Sequence, residues 1–278
     1  VPGWFQAVVT VYDAAGNKLQ SSSSNSFEQD PVMVLPVERT GEYTVEIRDA
    51  LYRGRKDFVY RLSLSDGPFV TGIFPLGAPE GSTTVAHLQG WNLPTDTVTL
   101  DTTPGPEAVR EITSLGGRPL VLPVRYAVGT LPEIQEQEPN DTLETAQAIT
   151  LPQVINGILG KPGEVEEEVF RFTGTKDQQI VAQVTARQLG SPLDALLQLC
   201  DSTGRVLQTE DDAPAFNVGL ETHHADACLQ YTLPADGTYY LKLSDTTRQG
   251  GPNFAYRLRV STPQPDFALY CYPSGLSG

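Results

Sequence analysis

Apolar and polar residues alternate along much of this chain. The pattern is plain in Ala7-Val8-Val9-Thr10-Val11-Tyr12, in Val169-Phe170-Arg171-Phe172 and in Tyr239-Tyr240-Leu241-Lys242-Leu243. A period of two turns successive side chains to opposite faces, as a half-buried β-strand requires. Gly, Pro, Asn and Asp punctuate these runs, where turns need them. Long stretches with helical spacing are few. The expected fold class is all-β, and the expected architecture is a tandem of β-sandwiches.

The alternation repeats. Ala7 to Gln20 aligns with Ala195 to Gln208 at a constant offset of 188. Gly41 to Asp49 aligns with Gly237 to Asp245 at an offset of 196. That offset holds through Phe58-Val59-Tyr60-Arg61-Leu62 against Phe254-Ala255-Tyr256-Arg257-Leu258. The growth from 188 to 196 places eight extra residues in the second copy's connecting loop. In both copies Asp-x-x-Gly stands between strands (Asp13 to Gly16, Asp201 to Gly204). There Asp bonds the turn backbone and Gly accepts positive φ. The second copy is preceded by further strand-like material, Val169 to Phe172 and Ile180 to Val184, whereas only six residues precede Ala7. The chain is therefore expected to begin inside a domain. The first copy either finds its missing strands in a longer parent protein or leaves an open sheet edge that invites pairing.

A different module lies between the copies. It runs from Pro68-Phe69-Val70-Thr71-Gly72-Ile73-Phe74-Pro75 through Gly90-Trp91-Asn92-Leu93-Pro94 to about Thr130. Short strands broken by Gly, Pro and Asn suggest a small β-sandwich. Leu131 to Pro139 is acidic and contains proline, and it reads as a linker. The expected domains are 1–66, a partial copy; 67–130, the middle sandwich; and 131–278, the complete copy with a C-terminal tail.

Composition narrows the partners. The 278 residues carry 19 Lys+Arg against 34 Asp+Glu, a formal net charge of −15. Such a surface repels phosphate backbones and anionic headgroups, so nucleic acid is ruled out as the default partner, whereas calcium and basic partners are permitted. No run of 18 apolar residues occurs, so no membrane span is expected. Val1-Pro2-Gly3-Trp4 carries no Met and no signal-peptide pattern, and the chain reads as a mature or excised piece. The three cysteines, Cys200, Cys228 and Cys271, are not a disulfide framework, although Cys200 and Cys228 stand where a bridge between two strands is conceivable. Acidity, Ser/Thr-rich strands and scarce Lys lean towards export, to the extracellular space or cell surface, with the periplasm as the alternative.

Three segments carry a family resemblance: Glu136-Gln137-Glu138-Pro139-Asn140-Asp141-Thr142, Gly190 to Leu199, and Leu233-Pro234-Ala235-Asp236-Gly237-Thr238-Tyr239-Tyr240-Leu241. Together they resemble the bacterial pre-peptidase C-terminal domain over about 134–262, and by the repeat over 4–66. That resemblance implies jelly-roll-type sandwiches appended to secreted proteases and large surface proteins. Through Ile73-Phe74-Pro75 and Gly90-Trp91-Asn92-Leu93 the middle module is similar to the immunoglobulin-like IPT/TIG fold.

The resemblance also implies calcium. Collagen-binding domains of clostridial collagenases hold that ion with Glu-x-Glu-x-Asn-Asp, and Glu136, Glu138, Asn140 and Asp141 match the pattern position for position. Further ligands come from an acidic turn before the next strand. Here that turn is Glu164-Val165-Glu166-Glu167-Glu168, so Glu166 and Glu168 are both candidates. The residue types suit the chemistry, because calcium takes six to eight hard oxygen ligands and tolerates a flexible cage. A plainer reading stands beside it: Asp141-Thr142-Leu143-Glu144 is also a capping box for a short helix through Ile149.

Other clusters point less far. Asp194, Asp201, Glu210, Asp211 and Asp212 form a second acidic group, but only Asp201 has an acidic counterpart, Asp13, in the first copy. That recurrence reads as turn chemistry. His223 and His224, with Glu221 or Asp226, are a weaker metal alternative, since neighbouring histidines in a strand face opposite ways. No nucleophile elbow, His-Glu-x-x-His helix or phosphate loop occurs, and the chain is not expected to be an enzyme. Tyr43, Tyr60, Tyr239 and Tyr256 recur between copies and are expected to pack. The expected function is a calcium-binding, non-catalytic module array of a larger exported protein. It would act in structural or adhesive binding to protein or polysaccharide of the cell envelope or extracellular matrix. The alternative is a polymer-targeting appendage of a secreted hydrolase, directed to a collagen-like protein or a polysaccharide.

Overall fold

The structure, a computed structural model, describes residues 5–23, 30–160, 167–213 and 226–264. It is all-β: among the described residues the only helical segment is a single 3-10 turn, Arg187–Leu189. Two compact units divide the chain, Val1–Ser65 and Asp66–Gly278.

The first unit holds three strands, β1 (Ala7–Tyr12), β2 (Lys18–Ser23) and β3 (Thr44–Asp49), in the order β2-β1-β3. Both pairings are antiparallel. Val8 and Val11 are buried along β1, as is Thr10, whose hydroxyl meets that of Ser21 at 2.9 Å.

The second unit opens with the middle module. Its strands are β4 (Phe69–Phe74), β5 (Gly77–Pro79), β6 (Val85–Trp91), β7 (Thr97–Thr99), β8 (Val109–Leu115) and β9 (Arg118–Gly129). They form two three-stranded sheets, β4-β6-β7 and β5-β9-β8. Ile73, Ala86, Leu88, Leu100 and Tyr126 are buried in its core, which continues into Leu189 and Ala255 of the domain that follows. Arg257 seals the junction. It pairs with Glu133, and a side chain at Gly77 would collide with its guanidinium.

The last domain contains β10 (Glu133–Gln135), β11 (Gln147–Ala148), β12 (Gln153–Ile158), β13 (Glu168–Gly174), β14 (Gln179–Thr185), β15 (Ala195–Cys200), β16 (Val206–Glu210), β17 (Cys228–Thr232), β18 (Gly237–Asp245) and β19 (Ala255–Ser261). Two five-stranded sheets result, β10-β12-β19-β14-β17 and β11-β13-β18-β15-β16. Alternate residues meet between them: Leu197, Leu199, Phe170, Leu241, Ile155, Ala182, Tyr256 and Leu258 form one apolar core. Each such large side chain contributes roughly 1.5–3 kcal/mol relative to exposure.

The internal repeat is reproduced residue by residue. β1 against β3 pairs Ala7 with Asp49 and Tyr12 with Thr44, and β15 against β18 pairs Ala195 with Asp245 and Cys200 with Tyr240. Even the irregularity recurs, at Val11/Tyr12 and at Leu199/Cys200. The hydroxyl of Tyr43 donates to the carbonyl of Arg39 at 2.8 Å, and that of Tyr239 to the carbonyl of Ala235 at 2.7 Å.

Several expectations are corrected. The short helix through Ile149 is absent. Thr142 and Thr145 close a single turn, the Thr145 N–H donating to Thr142 Oγ1 at 3.3 Å, and the chain then enters β11, which pairs in parallel with β13. Sheet pairing takes the backbone groups that a helix would have needed. Cys200 and Cys228 are free thiols on strands of opposite sheets, and burial raises the pKa of each. Cys271 lies outside the described residues. Tyr60 is largely exposed, with the ring of Phe5 6.2 Å from its own.

Candidate metal centre

The segment after β10 crosses the end of the last domain and is fastened there residue by residue. Glu136 anchors it. Its Oε2 accepts the N–H of Ile158 at 3.1 Å, and its Oε1 accepts the hydroxyl of Tyr256 at 2.9 Å and the side-chain amide of Asn140 at 3.2 Å. Gly157 makes room, because a Cβ there would collide with both Glu136 and the Tyr256 hydroxyl. The N–H of Asn140 donates to Glu138 Oε2 at 3.2 Å. The carbonyl of Asn140 accepts the N–H of Val169 at 2.8 Å, which ties the loop to the start of β13.

Those bonds bring three carboxylates together. Ligand oxygens of Glu138, Asp141 and Glu168 all lie within 4.8 Å of one another. Glu138 and Asp141 are exposed, whereas Glu168 is fully buried at the first position of β13. Asn140 is fully buried as well. Its Nδ2 is committed to Glu136, which fixes the amide orientation, and its Oδ1 has no hydrogen-bond partner. A buried amide oxygen without a donor costs roughly 1–3 kcal/mol, and crowded carboxylates repel. A hard cation among the carboxylates would relieve their repulsion, and an amide oxygen is a ligand type it accepts. The donor set therefore fits calcium: carboxylate and amide oxygens, one side open to solvent.

Tyr256 belongs to this centre although its recurrence suggested packing alone. Burial first, then the charges of Glu136 and Glu168, raise its hydroxyl well above the usual tyrosine range, so it stays protonated and donates to Glu136. Glu133 stands outside the cluster and holds the chain ahead of it. It accepts from Arg257 and, at 2.8 Å, from the side-chain amide of Asn156. Sequence spacing gave no sign of either, since Tyr256 and Glu136 are 120 positions apart.

The six sequence candidates thus divide. Glu138, Asp141 and Glu168 converge, and Asn140 contributes the buried amide between them in sequence. Glu136 lies behind, with both oxygens occupied by protein donors, and holds the loop in place. Glu166 lies outside the described residues. Its neighbour Glu167 pairs instead with Lys242 Nζ at 2.8 Å.

The second acidic group does not gather. Asp201 Oδ1 accepts the N–H groups of Thr203 and Arg205 at 2.9 and 3.2 Å, and Asp13 Oδ1 accepts those of Ala15 and Asn17 at 2.9 and 2.8 Å. Both are turn residues, and side-chain donors first, Asn17 to Asp13 and Thr203 to Asp201, then these backbone bonds hold each carboxyl below the usual range. Asp194 Oδ2 accepts the Thr246 hydroxyl at 2.8 Å. Asp226 is buried and caps the 3-10 turn through the N–H groups of Ala186, Arg187 and Gln188. His223, His224 and Glu221 lie outside the described residues.

Comparison with known proteins adds a limited context. No protein-family model matches the chain. Over 127 residues, 45 % of this chain, it is 37 % identical to a Deinococcus radiodurans protein named a probable subtilase-type serine protease. The matched region spans only 16 % of that relative's length. Among solved structures, the pre-peptidase C-terminal domain of a Bacillus anthracis collagenase aligns over 45 % of this chain and 100 % of its own, with 17 % identity and a TM-score of 0.32. A periplasmic inhibitor of g-type lysozyme from Aeromonas hydrophila aligns over 48 % of this chain and 96 % of its own, with 14 % identity and a TM-score of 0.28. No helix among the described residues is long and apolar enough to cross a membrane.

Proposed function

We propose that this chain is a non-catalytic, calcium-binding array of β-sandwich modules within a larger exported or cell-surface protein. In this reading the last domain is of the pre-peptidase C-terminal type, and the middle module is of the IPT/TIG type. One observation carries it: Glu138, Asp141 and Glu168 converge within 4.8 Å beside an Asn140 whose buried Oδ1 lacks a hydrogen-bond partner. When bound, the ion supplies positive charge that screens the carboxylates and completes the Asn140 amide. Glu138, Asn140, Asp141 and Glu168 would hold it. Glu136 and Tyr256 keep the loop in position, and the ion would fasten the loop after β10 to the start of β13.

A ligand that binds only the folded state stabilises it, by about 2.7 kcal/mol at a hundredfold excess over Kd. The last domain is therefore expected to melt at higher temperature in calcium than in chelator. Asp141→Asn, on the exposed side of the cluster, is expected to weaken binding while leaving the melt in chelator nearly unchanged. Identical melting curves with and without calcium would sink the proposal.

A second reading has a specific observation in its favour. Identity of 37 % to a protein named a subtilase-type protease supports an appendage that directs a secreted hydrolase to a polymer, with the catalytic machinery elsewhere in the protein. Co-sedimentation with insoluble collagen and with polysaccharides separates the two readings: retention on one polymer class supports targeting, and no retention leaves the structural role.

A further inference from the structure

The sequence reads 131–139 as a linker between two sandwiches, but the chain there has no slack. The carbonyl of Pro132 accepts the N–H of Val154 at 2.9 Å and the side-chain amide of Gln153 at 2.8 Å. Glu133–Gln135 is already β10, paired in parallel with β12. The N–H of Glu136 then donates to the carbonyl of Asn156 at 2.9 Å. Three residues after β9 ends at Gly129, the backbone is bound to a sheet of the last domain.

Side chains cross the junction as well. Leu189, Ala255 and Ile158 of the last domain join the apolar core of the middle module. Arg257, on the same strand as Ala255, pairs with Glu133, and both side chains are nearly out of water. The middle module makes room for the last domain with glycines. A Cβ at Gly77 would lie 2.8 Å from Arg257 Nε, one at Gly129 would lie 3.1 Å from Arg257 Nη2, and one at Gly72 would lie 2.5 Å from Asn253 Oδ1. At Gly72 the three nearest atoms all belong to Asn253, so that contact is made across the junction alone. Neighbouring domains move against each other by default, and cease to do so where their interface is apolar and well packed. A sandwich as small as the middle module closes little core of its own. Here the next domain supplies part of it.

We propose that the middle module and the last domain are one cooperative folding unit, a two-sandwich body with a fixed angle at 130–133. Ile158, Leu189 and Ala255 complete the middle module's core, and the Arg257–Glu133 pair locks the seam. Removing either partner of a buried ion pair leaves a charge without compensation, so the seam resists opening. The consequence is mechanical. The two sandwiches keep a constant orientation and present their outer surfaces as a single rigid spacer. Loss of packing in one of them opens both.

The test uses the full chain in chelator, which keeps it independent of the metal centre. Amide hydrogen exchange is read over Val85–Trp91 in the middle module and Ala195–Cys200 in the last domain. Leu199 belongs to the core of the last domain and not to that of the middle module. Leu199→Ala is expected to speed the slowest amides of both strands by the same factor, at least about tenfold, because core truncation is costly and amides that share one opening share its free energy. Acceleration confined to Ala195–Cys200 overturns the proposal. Gly72→Val probes the junction directly. It is expected to lower the melting temperature by at least about 2 °C, as overpacking does. Adding Asn253→Ala is expected to restore at least half of that loss by removing the obstructing amide. An unchanged melt for Gly72→Val, which would mean that the sandwiches swing apart freely, overturns the fixed junction. So does a loss that Asn253→Ala fails to relieve, which would place the damage within β4.

Discussion

The N-terminal unit and the last domain carry the same strand pattern, and only part of it becomes strand in both. β1, β2 and β3 form in the same register as β15, β16 and β18. These three pair with one another, so each copy contains all the partners they need. The counterparts of β17 and β19, Val32 to Pro36 and Val59 to Ser65, are irregular in the N-terminal unit. In the last domain both of those strands pair with β14, and β19 also with β12. The described N-terminal unit contains no equivalent of either partner. Alternation of apolar residues is thus a necessary condition for a strand. The sufficient condition is a neighbour to satisfy the N–H and C=O groups along its edges.

The largest test of this contrast is a pair of truncations. Leu258→Ala opens a cavity in a closed core and is expected to cost about 2–5 kcal/mol in urea denaturation. Leu62→Ala, at the aligned position, is expected to cost less than about 1 kcal/mol, as exposed substitutions do. Similar penalties would mean that the N-terminal unit buries Leu62 after all.

A pair that should behave alike sharpens the comparison. Tyr43→Phe and Tyr239→Phe each remove one hydroxyl-to-carbonyl bond made four residues upstream. Each is expected to cost about 1 kcal/mol. If only Tyr239→Phe destabilised, the repeated clamp would be a local accident of the N-terminal unit rather than a stabilising part of both.

A contrast that depends on pH concerns the aspartate that ends β3. Asp49 accepts the N–H groups of Gln6, Leu51 and Arg53, and its equivalent Asp245 accepts those of Asp194, Thr247 and Gln249. In the N-terminal unit Arg53 adds a side-chain pair, and that guanidinium, ahead of the backbone donors, holds the Asp49 carboxyl well below its ordinary 3.8. A carboxyl with a depressed folded pKa contributes stability that is complete above its unfolded value. The contribution is lost as pH falls through the folded one. The difference in melting temperature between wild type and Asp49→Asn is therefore expected to be steady above about pH 5 and to shrink below it. A gap of equal size at pH 2 and pH 7 would rule out the carboxylate as its source.

Much of the candidate centre could be read from one short segment. Glu138, Asn140 and Asp141 lie within four residues, so their proximity needed no knowledge of the fold. Glu168 was one of two acidic candidates, and it reaches the cluster because β13 begins with it. Glu136 looked like a ligand because it shares the residue type and the spacing. Its role changed because the fold surrounds it with three donors: Ile158, Tyr256 and Asn140. Tyr256 was invisible as a site residue, since its contact with Glu136 spans 120 positions and leaves no local pattern. The predicted helix after Asp141 failed for a related reason. Capping residues describe a local preference, and a parallel pairing between β11 and β13 outweighs it.

By itself the amino-acid order determined what is local or periodic: the all-β class, the repeat and its two offsets, the Asp-x-x-Gly turns, and a knot of oxygen-bearing side chains ahead of the last domain. These follow from side-chain direction and short-range sterics, which a few neighbouring residues decide. Only the tertiary arrangement decided which alternating segments became strands, which carboxylates face one another and which is consumed as a hydrogen-bond acceptor. Those outcomes depend on distant backbone edges and donors that come into reach only when two sheets close on a common core.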